Sequence, residues 1–578
     1  MTTARQSDGS SLDSELGTPL LNLDTVNGAV DYKGQPVIRS KSGYWRSAGF
    51  IIGVEVAERI AYNGIVSNLI SFLTGHLHQS TAVAAANVNI WDGTASFLPL
   101  LGAFIADSYL GRYRTIVISS LLYILGLAML TLAAKLPSFT DSDCKVTNIF
   151  TFCSPKLQVI VFFFSLYLVA FGQGGHKPCV QAFGADQFDE RHPKECKDRS
   201  SFFNWWYFTM CSGILLSLLI LNYIQDNLSW VLGFGIPCIV MIAALIMFLL
   251  GTKTYRFTVE GQKRSPFIRI GRVFVAALRN RQLTLTEIAF KDEAGNIVQC
   301  SKQFKSFLNK ALFSPNVSKQ EEACSLIEVE EAKAVLGLAP IWAACLVFGI
   351  VLAQTPTFFT KQGSTMDRTI FPGFDIPAAS LQALIPLAIV IFTLIYDRIF
   401  VPIARAITNK PSGITMLQRI GTGIFISVIT VVIAALVEIK RQQTAIVYGL
   451  VDDPDATIPM SVSWLVPQYF LLGVAQVFTM VGLQEFFYGQ VPNELRSMGL
   501  ALYLSIFGLG SFLSSFLISV IEEATGKDEQ GSWFGDNLNK AHLDYFYWLL
   551  VGLSVMGLAA FIFFAKSYIY NQKSMAQG

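Results

Sequence analysis

Trp91-Asp92-Gly93-Thr94-Ala95-Ser96-Phe97-Leu98-Pro99-Leu100-Leu101-Gly102-Ala103-Phe104-Ile105-Ala106-Asp107-Ser108-Tyr109-Leu110-Gly111-Arg112 is an apolar run that ends in an acid and enters a short basic turn. A second apolar run, closing on Tyr396-Asp397-Arg398, ends the same way. One ending used twice implies two equivalent halves. Working outward, runs able to cross about 30 Å of hydrocarbon recur twelve times. The first six fall at roughly 46–74, 81–106, 115–134, 157–179, 203–224 and 230–251. The second six fall at roughly 334–360, 376–396, 414–438, 463–488, 496–521 and 544–566.

The expected fold is therefore an all-α membrane protein with twelve transmembrane helices in two six-helix bundles, at 46–251 and 334–566. Residues 1–45 and 567–578 are tails, and 252–333 is a polar linker with a basic helical piece near Ile268 to Arg281 and an acidic one near Lys319 to Lys333. Most Lys and Arg fall in the tails, the even-numbered connections and this linker, which places both termini in the cytoplasm. The linker then lies against the cytoplasmic face of the membrane. Parallel halves of this kind place a substrate cavity at their shared face near mid-membrane, and rocking about it gives alternating access.

Composition agrees. Hydrophobic residues make up 52% of the 578 and charged ones 15%, too apolar a balance for polar surface to cover. A net charge of +2 holds no basic stripe for nucleic acid. The nine cysteines include no Cys/His cluster at metal-ligand spacing, and no cofactor is implied. Cys144 and Cys153 share one polar connection expected outside the cytoplasm, where they either pair as a disulfide or stay free.

The acidic turn at Asp107 to Arg112 is similar to one found throughout the major facilitator superfamily, where it clamps helices. Added to it are Glu55-Val-Ala-Glu58-Arg59, Gly174-Gly175-His176-Lys177-Pro178, Phe183-Gly-Ala-Asp186-Gln187-Phe188-Asp189, Phe203-Asn204-Trp205-Trp206-Tyr207-Phe208 and Gln484-Glu485-Phe486-Phe487-Tyr488. Together, from about Asp31 to Ile569, these resemble the plant nitrate and peptide transporter family, a branch of the proton-dependent oligopeptide transporters. The resemblance implies a major facilitator fold, secondary active transport and a conformational clamp at Asp107 and Arg112, echoed by Asp397 and Arg398.

Charges inside a membrane cost on the order of 2.5–3.5 kcal/mol each on lenient scales, so they face a cavity and find partners. Glu55, Glu58 and Arg59 share one face of the first helix by their spacing. A carboxylate beside Arg and a second carboxylate switches protonation when a partner moves. These three, with Lys177 as counter-ion, are the expected proton-coupling set; the alternative is a permanent ion network locking helix one to helix four. By resemblance, Lys177 faces the cavity, pairs with the helix-one carboxylates and meets the negative end of a substrate. Glu485, the lone acid of its helix, either receives a substrate's amino group, as in peptide-carrying relatives, or pairs with another helix. Arg59, Tyr62, Lys177, Gln354 and Glu485 are thus the expected substrate contacts.

His176 reads as a packing residue, and Asp92 either bonds a neighbouring helix or adds a titrating group. Trp342, Phe348, Phe358 and Phe359 line an aromatic pocket or pack the core. Thr115, after Arg112-Tyr113-Arg114, is a helix-start residue or a phosphorylation site for a protein kinase. Glu15 with Leu20-Leu21 approaches a vacuolar sorting signal.

Departures from the family bear on the solute. Tyr62-Asn63-Gly64 replaces the Tyr-Tyr-Gly of peptide carriers, and Val351-Leu352-Ala353-Gln354 lacks both the histidine of a nitrate-binding relative and the acid of bacterial peptide carriers. The expected function is proton-coupled symport of a small anionic or zwitterionic solute, whether nitrate, a di- or tripeptide, a hormone acid or a specialised metabolite. The competing function is a passive anion facilitator. The partners expected are that solute, protons and membrane lipids, and the site is the plasma or the vacuolar membrane. No pairing of nucleophile and base marks an enzyme.

Overall fold

The computed structural model describes residues 25–135, 155–189, 192–258, 266–281, 306–312, 324–400, 414–491, 495–526 and 532–568, with short pieces at 289–291, 297–299, 402–403 and 406. Cys144, Cys153, Glu15 and Leu20-Leu21 lie outside these residues, as do the side chains of Asp107 and Asp397.

Among the described residues, twelve helices build the two halves: α1 (Tyr44–Val66), α2 (Thr81–Ile105), α3 (Arg112–Lys135), α4 (Pro155–Ala185), α5 (Pro193–Leu216), α6 (Trp230–Leu250), α7 (Leu326–Leu352), α8 (Leu384–Ile395), α9 (Met416–Val447), α10 (Val466–Gly489), α11 (Arg496–Thr525) and α12 (Leu543–Ser567). With their short extensions, eleven of these are long and apolar enough to cross a membrane. The remaining one, α1, carries Glu55, Glu58 and Arg59. Side-chain caps start several of them: Ser80 accepts from Val83 N, Ser229 from Val231 N, and Ser325 and Thr415 form capping boxes with Glu328 and Gln418.

The halves repeat one packing plan. In the first, α1 touches α5 and α6, α2 touches α4, and α3 touches α4 and α6. In the second, α7 touches α11 and α12, α8 touches α10, and α9 touches α10 and α12. The repeat reaches the backbone, because α2 and α8 each end in one wide π turn, Ala106–Leu110 and Tyr396–Phe400. Those turns hold Asp107 and Asp397, so the echo read in the sequence is a structural one. They mark what we term the turn side of the molecule; the opposite end is the far side.

Two boundaries differ from the sequence expectation. The acidic piece near Lys319 to Lys333 is no separate helix: Glu328, Glu330 and Glu331 lie in the first turns of α7, which begins at Leu326. The Ser325 box starts the helix there and no breaker follows before Pro340. At its other end α7 stops at Leu352, then passes through a π turn with Pro356 (Thr355–Phe359) and a last helical turn (Thr360–Ser364).

On the turn side, strands β1 (Thr25–Val30), β2 (Pro36–Ile38) and β3 (Phe257–Thr258) form an antiparallel sheet in the order β2-β1-β3. It ties the N-terminal segment to the start of the linker. The lateral helix Pro266–Arg279 belongs to the other half, burying Val273 and Ala277 in the core that holds α7, while Arg272 lies 2.8 Å from Glu328. Its opposite face leaves Ile268, Val275 and Leu278 exposed, as suits a helix at a lipid interface.

Candidate functional site

Arg59 is the centre of the buried charge on α1. Its Nε donates to Glu55 Oε1 at 2.8 Å and its Nη2 lies 2.8 Å from Glu58 Oε2. Glu55, Glu58 and Arg59 are 3%, 0% and 6% exposed, so the cation faces both acids away from bulk solvent. Glu58 differs from Glu55 in one respect: neither of its oxygens meets hydrogen-bond geometry, although Gln173 of α4 and Tyr123 of α3 lie beside it.

Lys177 stands across from this group. It interacts electrostatically with Arg59, Glu58, Glu55 and Asp92, but forms no direct ion pair among the described residues. The direct contacts of both carboxylates go to Arg59, and Lys177, expected to pair with them, interacts with them through charge alone. Close helix contact makes this possible, since a Cβ on Gly102 of α2 would fall 2.1 Å from Gly174 O and one on Gly175 2.1 Å from Ser119 Oγ of α3. His176 is wholly buried, as expected of a packing residue.

Asp92 bonds neighbouring helices. Tyr62 Oη donates to it at 2.6 Å and Ser511 Oγ of α11 at 3.0 Å, and the Tyr62 ring stacks on Trp91. Tyr62, expected among substrate contacts, thus spends its hydroxyl on Asp92. Gln354, expected there too, is wholly buried: its Nε2 donates to Ile350 O and Ser514 Oγ. It sits at the break below Leu352, where the chain turns inward against α11. Phe358 and Phe359 are buried against Phe534, Tyr469 and Tyr547, and Phe348 is 1% exposed, so these rings pack the core. Trp342 donates to Ser505 Oγ of α11 at 2.9 Å.

Glu485, on the last turns of α10, keeps half its side chain exposed and has Arg419 of α9 at 3.9 Å, a long pair. Arg419 also caps the Tyr396 ring at 4.5 Å. In the clamp region Arg112 pairs with Asp186 at 2.5 Å, joining two of the quoted motifs, and Arg398 is exposed. Thr115 is 4% exposed, its hydroxyl donating to Gly111 O, so a kinase meets a covered residue in this conformation.

Two groups escaped the sequence reading. Glu438 and Arg441 of α9 form a buried pair to which Gln362 and Asn539 also bond. The signal was their one-turn spacing, but the expected span ended at 438, at the pair itself. On the turn side, Arg39 bridges Asp189 and Glu195, and buried Arg256 holds Glu195 at 2.6 Å and Ser42 O at 2.8 Å.

Hydrogen bonds join the halves on the far side: Thr81 N to Asp536, Asn89 to Ser514, Ser511 to Asp92, Ser380 to Leu218 O and Gln382 to Ser67 O. Of these, the Ser511 to Asp92 bond lies nearest the charge cluster, through Tyr62 and Lys177.

A family model described as the POT family matches residues 113–534. The Arabidopsis thaliana protein NRT1/PTR FAMILY 5.10 is 65% identical over 96% of this chain and 97% of its own length, and NRT1/PTR FAMILY 5.12 from the same plant is 57% identical over 97% and 98%. In fold, the chain superposes with TM-score 0.67 on an auto-inhibited POT family peptide transporter at 23% identity, covering 91% of this chain and 98% of that one. With the POT family transporter PepTSo the TM-score is 0.69 at 21% identity, over the same shares. Twelve helices in two like halves, a buried charge cluster inside the first and these likenesses lead to one conclusion: the chain is a multi-pass membrane transporter of the POT family, of the plant NRT1/PTR kind, and not an enzyme.

Proposed function

We propose that this transporter is a proton-coupled symporter of a small anionic or zwitterionic solute, working by alternating access. The observation that carries the reading is Arg59 held between Glu55 and Glu58, with Lys177 in electrostatic reach and without an ion pair among the described residues. Glu58 carries the proton: it is wholly buried, and no hydrogen bond is committed to either oxygen. When it is protonated, Arg59 and Lys177 balance Glu55 and Asp92, the net negative charge is gone, and a carboxylate or nitrate can approach the two cations. Glu485 meets the cationic end of a zwitterion, with Arg419 as its resting partner.

Ionised, Glu55, Glu58 and Asp92 outweigh Arg59 and Lys177, so an incoming anion without a proton would be repelled. This favours symport over the facilitator. The solute class spans nitrate, short peptides, hormone acids and specialised metabolites. In this reading the turn side is cytoplasmic, and the hydrogen bonds that join the halves on the far side correspond to a state closed toward the non-cytoplasmic side. In a plasma or a vacuolar membrane alike, protons then flow from the acidic compartment to the cytoplasm.

The test is solute-induced current in voltage-clamped oocytes, screening nitrate, dipeptides and plant metabolites at acidic and neutral external pH. An inward current for one solute at acidic pH, lost in Glu58→Gln and Lys177→Ala, supports symport. Uptake that ignores pH and survives Glu58→Gln makes the protein a facilitator.

A further inference from the structure

Among the contacts that join the halves, the one beside the charge cluster runs through Asp92. Helices α2 and α11 lie antiparallel and in register: Asn89 bonds Ser514 at 3.0 Å and, one turn along, Asp92 accepts from Ser511 at 3.0 Å. Their backbones meet there, since a Cβ on Gly93 would stand 2.9 Å from Gly508 O. So close a crossing leaves little room for slack, and parting the helices means breaking the Asp92 bond.

The same carboxylate faces the cluster. It accepts from Tyr62 of α1 at 2.6 Å and interacts electrostatically with Lys177 of α4, and Tyr62 in turn interacts with Glu58. From α11 and α7 the neighbours around this ladder are the uncharged Ser511, Ser514 and Gln354. One group thus touches both the proton site and the closed far side. A carboxylate accepts from two donors, and gaining a proton costs it one acceptor position, so its charge and its grip on Ser511 are linked.

Resting on the symport reading above, we propose that Asp92 is a positioning residue that ties closure of the far side to the charge state of the Glu55, Glu58, Arg59 and Lys177 cluster. Ser511 is the latch and the carboxylate charge is the sensor. The two roles come apart on substitution. Ser511→Ala removes the tie and keeps the charge, whereas Asp92→Asn keeps an acceptor for Tyr62 and a donor for Ser511 and loses the charge.

The experiment is a spin-label distance measurement across the far side, between cysteines placed at the exposed His78 and Asp455 with Cys144, Cys153, Cys196 and Cys300 replaced by Ser, at acidic and neutral pH. The wild-type distribution is expected to shift with pH. Ser511→Ala is expected to gain a longer-distance population at both pH values, and Asp92→Asn to stay short and lose the pH shift. A Ser511→Ala distribution like wild type overturns the latch; a wild type insensitive to pH, or an Asp92→Asn that shifts normally, overturns the sensor. No solute is needed, so failure here is separate from failure of the symport reading, which the Glu58→Gln currents report. If Asp92→Asn does not fold, Asp92→Glu replaces it, with a retained but displaced pH shift expected and an unchanged one overturning the sensor.

Discussion

Glu438 and Arg441, one turn apart on α9, close a salt bridge of 2.6 Å with neither side chain exposed. Arg441 also gives hydrogen bonds to Asn539 and Leu538 O, and Gln362 donates to Glu438, so α9, the end of α7 and the chain before α12 share one knot. Removing one partner strands the other. Arg441→Met is expected to cost about 3–5 kcal/mol, and Glu438→Leu with Arg441→Met to recover most of that, because the desolvation of both ions disappears together. Thermal unfolding of the purified protein in detergent checks it; equal losses in single and double variants would refute the account.

Glu55 and Glu58 are expected to fail differently. Glu55 accepts a hydrogen bond from Arg59 Nε, while Glu58 has a charge contact alone. Glu58→Gln should cut proton-driven uptake at least about tenfold, or about 1.4 kcal/mol, while solute counterflow persists. Glu55→Gln should lower both together, since it loosens Arg59. Parallel uptake and counterflow assays separate the two.

Gly43 has φ +70° and a Cβ there would lie 2.1 Å from Arg256 Nε. Gly43→Ala therefore strains the backbone and displaces the guanidinium that holds Glu195 and Ser42 O. The expected cost is about 1–3 kcal/mol, visible as faster hydrogen exchange in 25–41 and 187–195; unchanged exchange in both segments would count against the brace.

Gly102 and Gly174 let α2 and α4 touch, with 2.1 Å between a Cβ on Gly102 and the Gly174 carbonyl. Backbone yields less than a side chain. Gly102→Val is expected to destabilise by about 1–3 kcal/mol and to move Lys177, so transport should fall further than in Gly235→Ala, where the new Cβ meets Thr131 at an ordinary 3.5 Å. Comparable transport in the two variants would sink the argument.

The sequence alone determined the class, the repeat and the charged helix. Twelve apolar runs need lipid, two acidic turns announce equivalent halves, and Glu55, Glu58 and Arg59 fall on one face because a helix returns after three or four residues. Those are local facts, set by hydropathy and period. What only the tertiary structure decided is which partner each charge takes. Arg59 took the direct contacts of Glu55 and Glu58, Gln354 turned into the α11 contact, Asp92 joined Tyr62 to Ser511, and Glu438 found Arg441 inside a helix longer than its apolar run. The Asp92 and Gln354 contacts depend on helices far apart in the chain meeting, α2 and α11 at Gly93 and Gly508 among them, a distance no local pattern records.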